Sequence, residues 1–478
     1  MNNWELTIGL EVHIQLSTKT KMFCQCLSKY GEEPNSLTCP ICLAMPGALP
    51  IINQEAINMA IKLSHALNFE INNKTSFSRK NYYYPDLPKG YQITQFNDPI
   101  CKNGVLEIEH NNKKYIIGIT RAHLEEDSGK LIHHSNNSSF VDLNRAGSPL
   151  IEIVSEPELH SSEHAKLYLE KLKQIIKYIN ISDCNMEKGN LRVDINVSVR
   201  KQGDLELGTR REVKNLNSFK SVQRAIEYEY KKQIELIESG HKIEQSTLTW
   251  DEKNNITKVM RKKEDAHDYR HFPEPDLPYL YISDKEINNI GKNLPELPDA
   301  KFNRFLSSYG LKEQDLRKII SNVKLANYFE LLVELTKLPQ QTSNWLLGEI
   351  LAYINKKNIS INDLPIDRKR ISELIILFND GKITNVNAKK IFTIMLSDNR
   401  LPNQIINEEK MMIVQDDNFL DNLVSNVFKN NENEFNRLKN GEMKLVGFFM
   451  GKIMKETKGK ADPQSVQKII NQYIMDKK

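Results

Sequence analysis

The chain has 478 residues, with 66 Lys and Arg against 62 Asp and Glu, so its formal net charge is only +4. That balance excludes a histone-like polycation, and the length predicts about two to four domains. No uncharged apolar run approaches the roughly 20 residues of a membrane span, and the N-terminus has no basic or apolar leader pattern. These features predict a cytoplasmic protein with no membrane association.

Short β-type runs separated by turn residues dominate the first part of the chain. In 6–16, Glu11, His13 and Gln15 fall on one face of a predicted strand, and apolar side chains fall on the other. Further strands are predicted at 105–109, 114–121, 140–143 and 192–200. One helix, predicted at 164–179, interrupts this pattern, and Ser161 or Ser162 is its predicted N-cap.

Helical periodicity replaces the β pattern after Pro295 and Pro298. Amphipathic helices are predicted at 344–357, 369–378 and 386–396, and Asp462-Pro463 begins a last one. The sequence therefore predicts an α+β fold in three parts. These are an N-terminal domain at 1–293 with a mostly antiparallel β-sheet, an all-α domain at 294–408 and a small all-α tail at 409–478.

Four of the six cysteines form two close pairs. Cys24 and Cys26 are followed by Cys39 and Cys42 after a short loop. Two such pairs can present four sulfurs to one tetrahedral ion, which predicts a structural, non-catalytic Zn²⁺ site. Buried structural cysteines are the alternative.

Acidic groups accompany the polar face of the first strand. Glu11 and His13 share that face, and Glu125-Glu126-Asp127, Asp194 and Glu212 follow downstream. Carboxylates mixed with one imidazole suit Mg²⁺ or Mn²⁺ better than zinc. From spacing alone, a solvated polar face is the more frequent explanation.

Two basic segments are candidates for contacts with nucleic acid. The stretch 79–86 mixes basic and aromatic residues, and 441–478 has eight Lys and Arg against four Asp and Glu. Surface packing and a solvated lysine face are the alternatives. No Walker or dinucleotide-binding glycine loop is present, so a nucleotide would be held by metal and scattered cations.

These motifs, in this order, resemble the B-subunit family of the aspartyl/glutamyl-tRNA(Asn/Gln) amidotransferases. The resemblance spans nearly the whole chain and is weakest in the helical middle. Its blocks include IGLEVHIQL (8–16), CPICLAMPGALP (39–50), RKNYYYPDLPKGYQITQF (79–96), RAHLEEDSGK (121–130), MEKGNLRVDINVSVR (186–200) and MKETKGKADPQ (454–464).

The resemblance implies an ATP- and Mg²⁺-dependent ligase. Such an enzyme phosphorylates the side-chain carboxylate of misacylated Glu-tRNA(Gln), Asp-tRNA(Asn) or both. Ammonia released by a partner glutaminase, the A subunit, then displaces the phosphate, and a small C subunit completes a heterotrimer. The alternative function is a non-catalytic tRNA-binding scaffold that docks the amidase.

The resemblance also assigns roles to individual residues. Glu11, His13 and Glu126 would bind one Mg²⁺, and Asp194 and Glu212 would help to hold a second. Strand alternation places Glu125 and Glu126 on opposite faces, so only one of them can point at the metal. The cysteine quartet matches a zinc knuckle. The implied tRNA contacts are Arg79, Lys80, Tyr82, Lys452, Lys455, Lys458 and Lys460.

Overall fold

The structure, a computed structural model, describes residues 3–133, 138–262, 269–413, 417–457 and 459–475. The chain forms two compact units, Met1–Pro298 and Asp299–Lys478. The first unit combines a large sheet with helices, and the second is helical throughout its described residues. The expected α+β architecture is therefore confirmed. The further division expected at 408/409 stays a prediction.

A 12-stranded sheet organises the first unit. The strands of the first unit are β1 Trp4–Gln15, β2 Glu70–Ile71, β3 Lys74–Thr75, β4 Ser78–Asn81, β5 Tyr91–Thr94, β6 Cys101–His110, β7 Lys113–Glu126, β8 Lys130–His133, β9 Ser139–Asp142, β10 Pro149–Ser155, β11 Leu191–Lys201, β12 Arg211–Leu216, β13 Ser246–Asp251, β14 Ile256–Lys262, β15 Phe272–Pro273 and β16 Leu280–Tyr281. The strands of the large sheet run in the order β14-β13-β12-β11-β1-β10-β7-β5-β4-β15, and β6 joins the sheet by pairing with β7 and β2. Among the described strands, only β12 and β13 pair in parallel.

Four helices accompany this sheet: α1 Gln54–Ala66, α2 Ser162–Tyr178, α3 Phe219–Glu238 and α4 Asp284–Lys292. The predicted cap of α2 is Ser161, whose Oγ accepts a hydrogen bond from the His164 N–H at 3.0 Å. Side chains of α1, α2 and α3 share one hydrophobic core with the apolar face of β1. Because Val12 and Ile14 are fully buried in that core, the alternate residues Glu11 and His13 point to the other face.

The second unit consists of short helices joined by short connections. Pro298 and Pro402 each begin a helix, where a missing N–H costs nothing. The bounds are α5 Pro298–Tyr309, α6 Glu313–Ile320, α7 Val323–Thr336, α8 Pro339–Trp345, a π-helical turn Leu346–Ile350, α9 Leu351–Lys357, a 3₁₀ turn Ile361–Asp363, α10 Arg368–Asn379, α11 Asn385–Met395, α12 Pro402–Glu408, α13 Asp417–Lys429, α14 Glu432–Lys439, α15 Leu445–Glu456 and α16 Pro463–Met475. Residues of α13 to α16 have a hydrophobic cluster of their own. Across the described residues, we find no helix with the length and apolar character needed to cross a membrane.

Candidate active site and metal-binding groups

The register of the central strands assembles a polar surface on one face of the sheet. Glu11 of β1 lies opposite Asp194 of β11, and His13 lies opposite Glu152 of β10. Glu152 in turn lies opposite His123 of β7. Residues directly opposite in antiparallel strands have Cβ atoms about 4.5–5.5 Å apart, so pairing alone brings these side chains together.

The first metal-capable group consists of His13, Glu125 and Glu152. The His13 Nε2 atom lies 3.4 Å from Glu125 Oε1 and 3.5 Å from Glu152 Oε2. Glu152 Oε2 also lies 3.3 Å from Nε2 of the buried His123. One carboxylate is thus shared by two imidazoles at the centre of the sheet.

The opposite charges of His13 and Glu152 stabilise the ionised form of each residue. Burial lowers the pKa of His13, but the hydrogen bond and charge of Glu152, with the charge of Glu125, outweigh it and raise that pKa to about 9. Burial raises the pKa of Glu152, but the hydrogen bonds of His123 and His13 hold it well below its ordinary value. Glu152 is therefore ionised at neutral pH, as a metal ligand must be, whereas His13 is protonated in this state and would have to release that proton before its ring nitrogen bound a metal ion.

The second metal-capable group consists of Glu11, Asp194 and Glu212. One oxygen from each residue lies within 4.8 Å of the others. Burial and the charge of Glu152 raise the pKa of Glu11, although Asn196 donates a hydrogen bond to its Oε1 at 2.9 Å. Mg²⁺ takes oxygen ligands, usually one or two carboxylates together with water and phosphate oxygens, so these residues fit such an ion.

A cavity of about 310 Å³ opens beside both groups. Glu11, His13, Glu152 and Glu212 line its acidic side. Four cationic residues also line it: Lys80, Arg210, Lys214 and Arg261. The cavity therefore offers cationic side chains to an anionic ligand, and carboxylates to a divalent cation that the ligand carries.

Glu126 lies apart from the two groups, although the family resemblance placed it with Glu11 and His13. Its carboxylate is bound by Lys89 and accepts a hydrogen bond from the Ile93 N–H at 3.0 Å. The reason is strand alternation. Glu125 and Glu126 are consecutive at the end of β7, and Glu125 is the one that faces His13. Asp194 and Glu212 lie in one group, as the resemblance implied, and Glu11 joins them.

The basic and aromatic side chains near residue 80 have different partners in the structure. Arg79 forms a bidentate ion pair with the buried Glu274, with both N–O distances at 2.8 Å. That pair holds β4 close to the segment after β15, so the guanidinium is already occupied. Lys80 lines the cavity with its Nζ 5.0 Å from the centre of the Tyr269 ring, and the ring of Tyr82 packs edge-on against Tyr269.

The four predicted cysteines come together as a third group. One sulfur from each of Cys24, Cys26, Cys39 and Cys42 lies within 4.8 Å of the others. The fully buried Lys21 lies beside them, with its Nζ 3.6 Å from Cys42 Sγ. Hydrogen bonding by the Cys24 thiol and the Cys39 N–H, with the charge of Lys21, lowers the pKa of Cys42 to about 4 despite its burial. Four sulfurs converging beside a cation fit a tetrahedral metal ion.

The predicted tail lysines differ in their surroundings. Lys452 has partners within the tail, since its Nζ donates a hydrogen bond to Asn431 and lies 4.8 Å from the centre of the Phe448 ring. Lys455 is exposed at the end of α15, and Lys460 is half-buried. Lys458 lies outside the described residues.

Sequence reasoning missed Glu152 and three of the four cations that line the cavity, Arg210, Lys214 and Arg261. A signal for Glu152 exists, because it is the one charged residue in the apolar strand Pro149–Ser155. A charge at such a position is costly unless it is paired or binds a cation. Lys214 and Arg261 carry no comparable local signal, because each lies in a strand that bears other charged residues.

Comparison with known proteins identifies the family. The profile described as the GatB/GatE catalytic domain matches residues 6–288, and the one described as the GatB domain matches 327–474. A curated relative from Caldicellulosiruptor bescii is 47% identical over 98% of this chain and 99% of its own length. Relatives from Carboxydothermus hydrogenoformans and Clostridium tetani are 46% and 45% identical, each over 99% of its own length.

All three relatives are named as the B subunit of an aspartyl/glutamyl-tRNA(Asn/Gln) amidotransferase. The chain belongs to this GatB family, which confirms the resemblance found in the sequence.

Proposed function

We propose that this chain is the catalytic subunit of a tRNA-dependent amidotransferase, a carbon–nitrogen ligase of protein synthesis. It transfers the γ-phosphoryl group of ATP to the side-chain carboxylate of Glu-tRNA(Gln), Asp-tRNA(Asn) or both. Ammonia from a partner glutaminase then gives Gln-tRNA(Gln) or Asn-tRNA(Asn). The proposal rests on family membership and on one observation, the cavity in which two acidic groups adjoin four cationic side chains.

The chemistry explains why such a cavity is needed. A carboxylate is a poor acyl donor, so one of its oxygens first attacks the γ-phosphorus and ADP leaves. The nitrogen of ammonia then attacks the carbonyl carbon of the acyl phosphate, and inorganic phosphate leaves. Both reactants of the first step are anions, and phosphoryl transfer depends mainly on positioning and charge neutralisation.

In this step, acidic residues of the chain bind the metal ions and cationic residues contact the phosphates. Glu11, Asp194 and Glu212 form one candidate Mg²⁺ site, and His13 with its two glutamates forms the other. Bound Mg²⁺ supplies charge neutralisation at the transferring phosphoryl group. Arg210 and Arg261 line the same cavity and are placed to contact phosphate oxygens. Lys80 and Tyr269 offer a cation and an aromatic ring for the end of the aminoacyl-tRNA.

The remaining parts of the chain support that site. The cysteine group holds a structural Zn²⁺ that stabilises the segment between β1 and α1. The tail adds affinity for the tRNA backbone through its exposed lysines, without reading sequence. The amidase A subunit supplies ammonia, and a small C subunit completes the heterotrimer.

The test separates catalysis by this chain from a scaffolding role. The assembled complex is incubated with ATP and Glu-tRNA(Gln), and tRNA-dependent ADP formation is measured without any ammonia source. Glu11→Gln should abolish ADP formation and leave the partner's glutaminase activity and complex assembly intact. A matched control, Glu107→Gln, alters an exposed glutamate of the same unit and should leave the rate unchanged. Wild-type ADP formation in Glu11→Gln would favour the scaffold alternative.

A further inference from the structure

Lys214 lies inside the second acidic group. Its Nζ is 2.6 Å from Asp194 Oδ2 and 2.6 Å from Glu212 Oε1. These are two of the three carboxylates in the group that is able to hold a metal ion. The lysine ammonium therefore neutralises the same carboxylates that a divalent cation would use.

An ammonium and a divalent cation cannot share these carboxylates in this arrangement. Mg²⁺ binds carboxylate oxygens at about 2.0–2.1 Å and demands near-octahedral geometry. Both carboxylates that point at Lys214 would have to turn toward the ion, and the two cations would repel each other at close range. Entry of a divalent cation therefore requires Lys214 to leave.

The surroundings allow Lys214 to leave while Glu212 and Glu11 keep hydrogen bonds to other side chains. Glu212 keeps a second hydrogen bond, because Thr247 Oγ1 donates to its Oε2 at 2.9 Å. Glu11 is held separately by Asn196 at 2.9 Å. Lys214 itself is a third exposed and lines the cavity, and lysine has a flexible four-carbon stem. Glu11 and Glu212 thus keep partners of their own, and the flexible ammonium is the group that moves away.

We propose that Lys214 is an exchangeable counter-cation, which neutralises Asp194 and Glu212 until a divalent cation binds and then contacts the nucleotide phosphates. This inference rests on the proposed function and deepens it, since it assigns a ligand-dependent role to a residue of the same cavity. The displaced ammonium stays in a cavity that Arg210 and Arg261 also line. It thereby couples metal binding to nucleotide binding.

A fixed structural ion pair is the competing explanation, and it makes different predictions. A fixed Lys214 stays with Asp194 and Glu212 in every state, so its removal changes nucleotide affinity by the same factor with and without metal. An exchangeable Lys214 reaches the nucleotide only after metal has bound. Its removal then weakens nucleotide binding only when metal is present.

The experiment measures binding of a non-hydrolysable ATP analogue to the full complex by calorimetry, in Mg²⁺ and in EDTA. We expect Lys214→Met to weaken binding by at least about tenfold in Mg²⁺, the value of one charge-assisted hydrogen bond, and by less than about twofold in EDTA. Mn²⁺ without nucleotide should bind the variant several-fold more tightly, because its competitor is gone. The control is Lys258→Met, which removes a 2.6 Å ion pair with Asp251 in the same sheet.

Equal losses of analogue affinity in Mg²⁺ and EDTA, or no loss in Mg²⁺, would overturn the proposal. Lys214→Arg is the second variant, since it keeps the charge if the methionine variant does not fold. It should retain part of the Mg²⁺-dependent affinity, and an arginine variant with no such dependence would also overturn the proposal. Failure of the wild-type complex to bind the analogue at all would instead contradict the proposed function.

Discussion

Glu125 and Glu126 are neighbours in sequence, yet their carboxylates serve different partners. Glu125 Oε1 lies 3.4 Å from His13 Nε2, whereas the carboxylate of Glu126 is bound by Lys89. Both glutamates are buried. Of these two consecutive residues, Glu125 is therefore a candidate metal ligand and Glu126 belongs to a structural ion pair.

This separation gives the first prediction. Glu125→Gln should weaken Mn²⁺ binding by at least about tenfold, because it removes a charged ligand atom while conserving shape. Glu126→Gln should leave Mn²⁺ affinity nearly unchanged but destabilise the first unit by about 3 kcal/mol, the cost of breaking a buried ion pair. Mn²⁺ titration and denaturant unfolding distinguish the two variants. Loss of metal affinity only in Glu126→Gln would instead support the ligand set implied by the family resemblance.

The second prediction concerns the cysteine group. Freshly purified protein should contain one Zn²⁺ per chain, and Cys42→Ser should lose it. Because metal loss belongs to the few mechanisms with very large effects, the substitution should destabilise the first unit by more than about 4 kcal/mol. The measurements are elemental analysis and thermal unfolding. Cys101→Ala is the control, since Cys101 is buried outside the group and its removal should leave the zinc content at one.

The third prediction uses the different surroundings of two tail lysines. Lys455→Gln should reduce the salt dependence of tRNA binding by about one counterion, because an exposed lysine is available to a phosphate. Lys452→Gln should mainly destabilise the tail, because it removes the contacts with Asn431 and Phe448. Binding constants measured against salt concentration test the first effect. An unchanged salt slope in Lys455→Gln would mean that this lysine only contacts solvent.

The fourth prediction concerns Gly208, which precedes β12. A Cβ built at this position would lie 2.0 Å from the carbonyl oxygen of Val199. No side-chain rotation can relieve a contact with backbone, so Gly208→Ala must displace the segment that leads to Glu212. We expect a loss of about 2 kcal/mol or more in unfolding free energy, with weaker Mn²⁺ binding. Gly348→Ala is the control, because a Cβ there would meet no atom within 4 Å and the backbone does not have a positive φ.

The elements that the sequence predicted are those with local signals. Alternation placed Glu11 and His13 on the polar face of β1, and close spacing identified the cysteine group. Neither inference needs knowledge of which strands pair. The helix α2 was predicted for the same reason, because its apolar stripe and its serine cap lie within one segment.

The remainder of the site depends on the order of the strands in the sheet, which cannot be read from the hydrophobic periodicity of the sequence. Glu152 joins His13 because β10 pairs with β1, and Lys214 reaches Asp194 because β12 pairs with β11. A one-residue change in register would turn these side chains to the opposite face of the sheet. The choice between Glu125 and Glu126 shows the same limit, since the resemblance supplies a motif but not its orientation, and the metal ligand within this pair stays a prediction.

The central position of β1 has a consequence for synthesis of the chain. Glu11 is made early, but the Asn196 side chain that holds it follows 185 residues later. At about 5–20 residues per second, a ribosome needs roughly 10–40 s to supply that partner. During this interval, β1 lacks β11, one of its two strand neighbours, although its other neighbour β10 is made earlier. The candidate active site should therefore stay incomplete in the nascent chain until β11 and β12, which carry Asp194 and Glu212, have emerged.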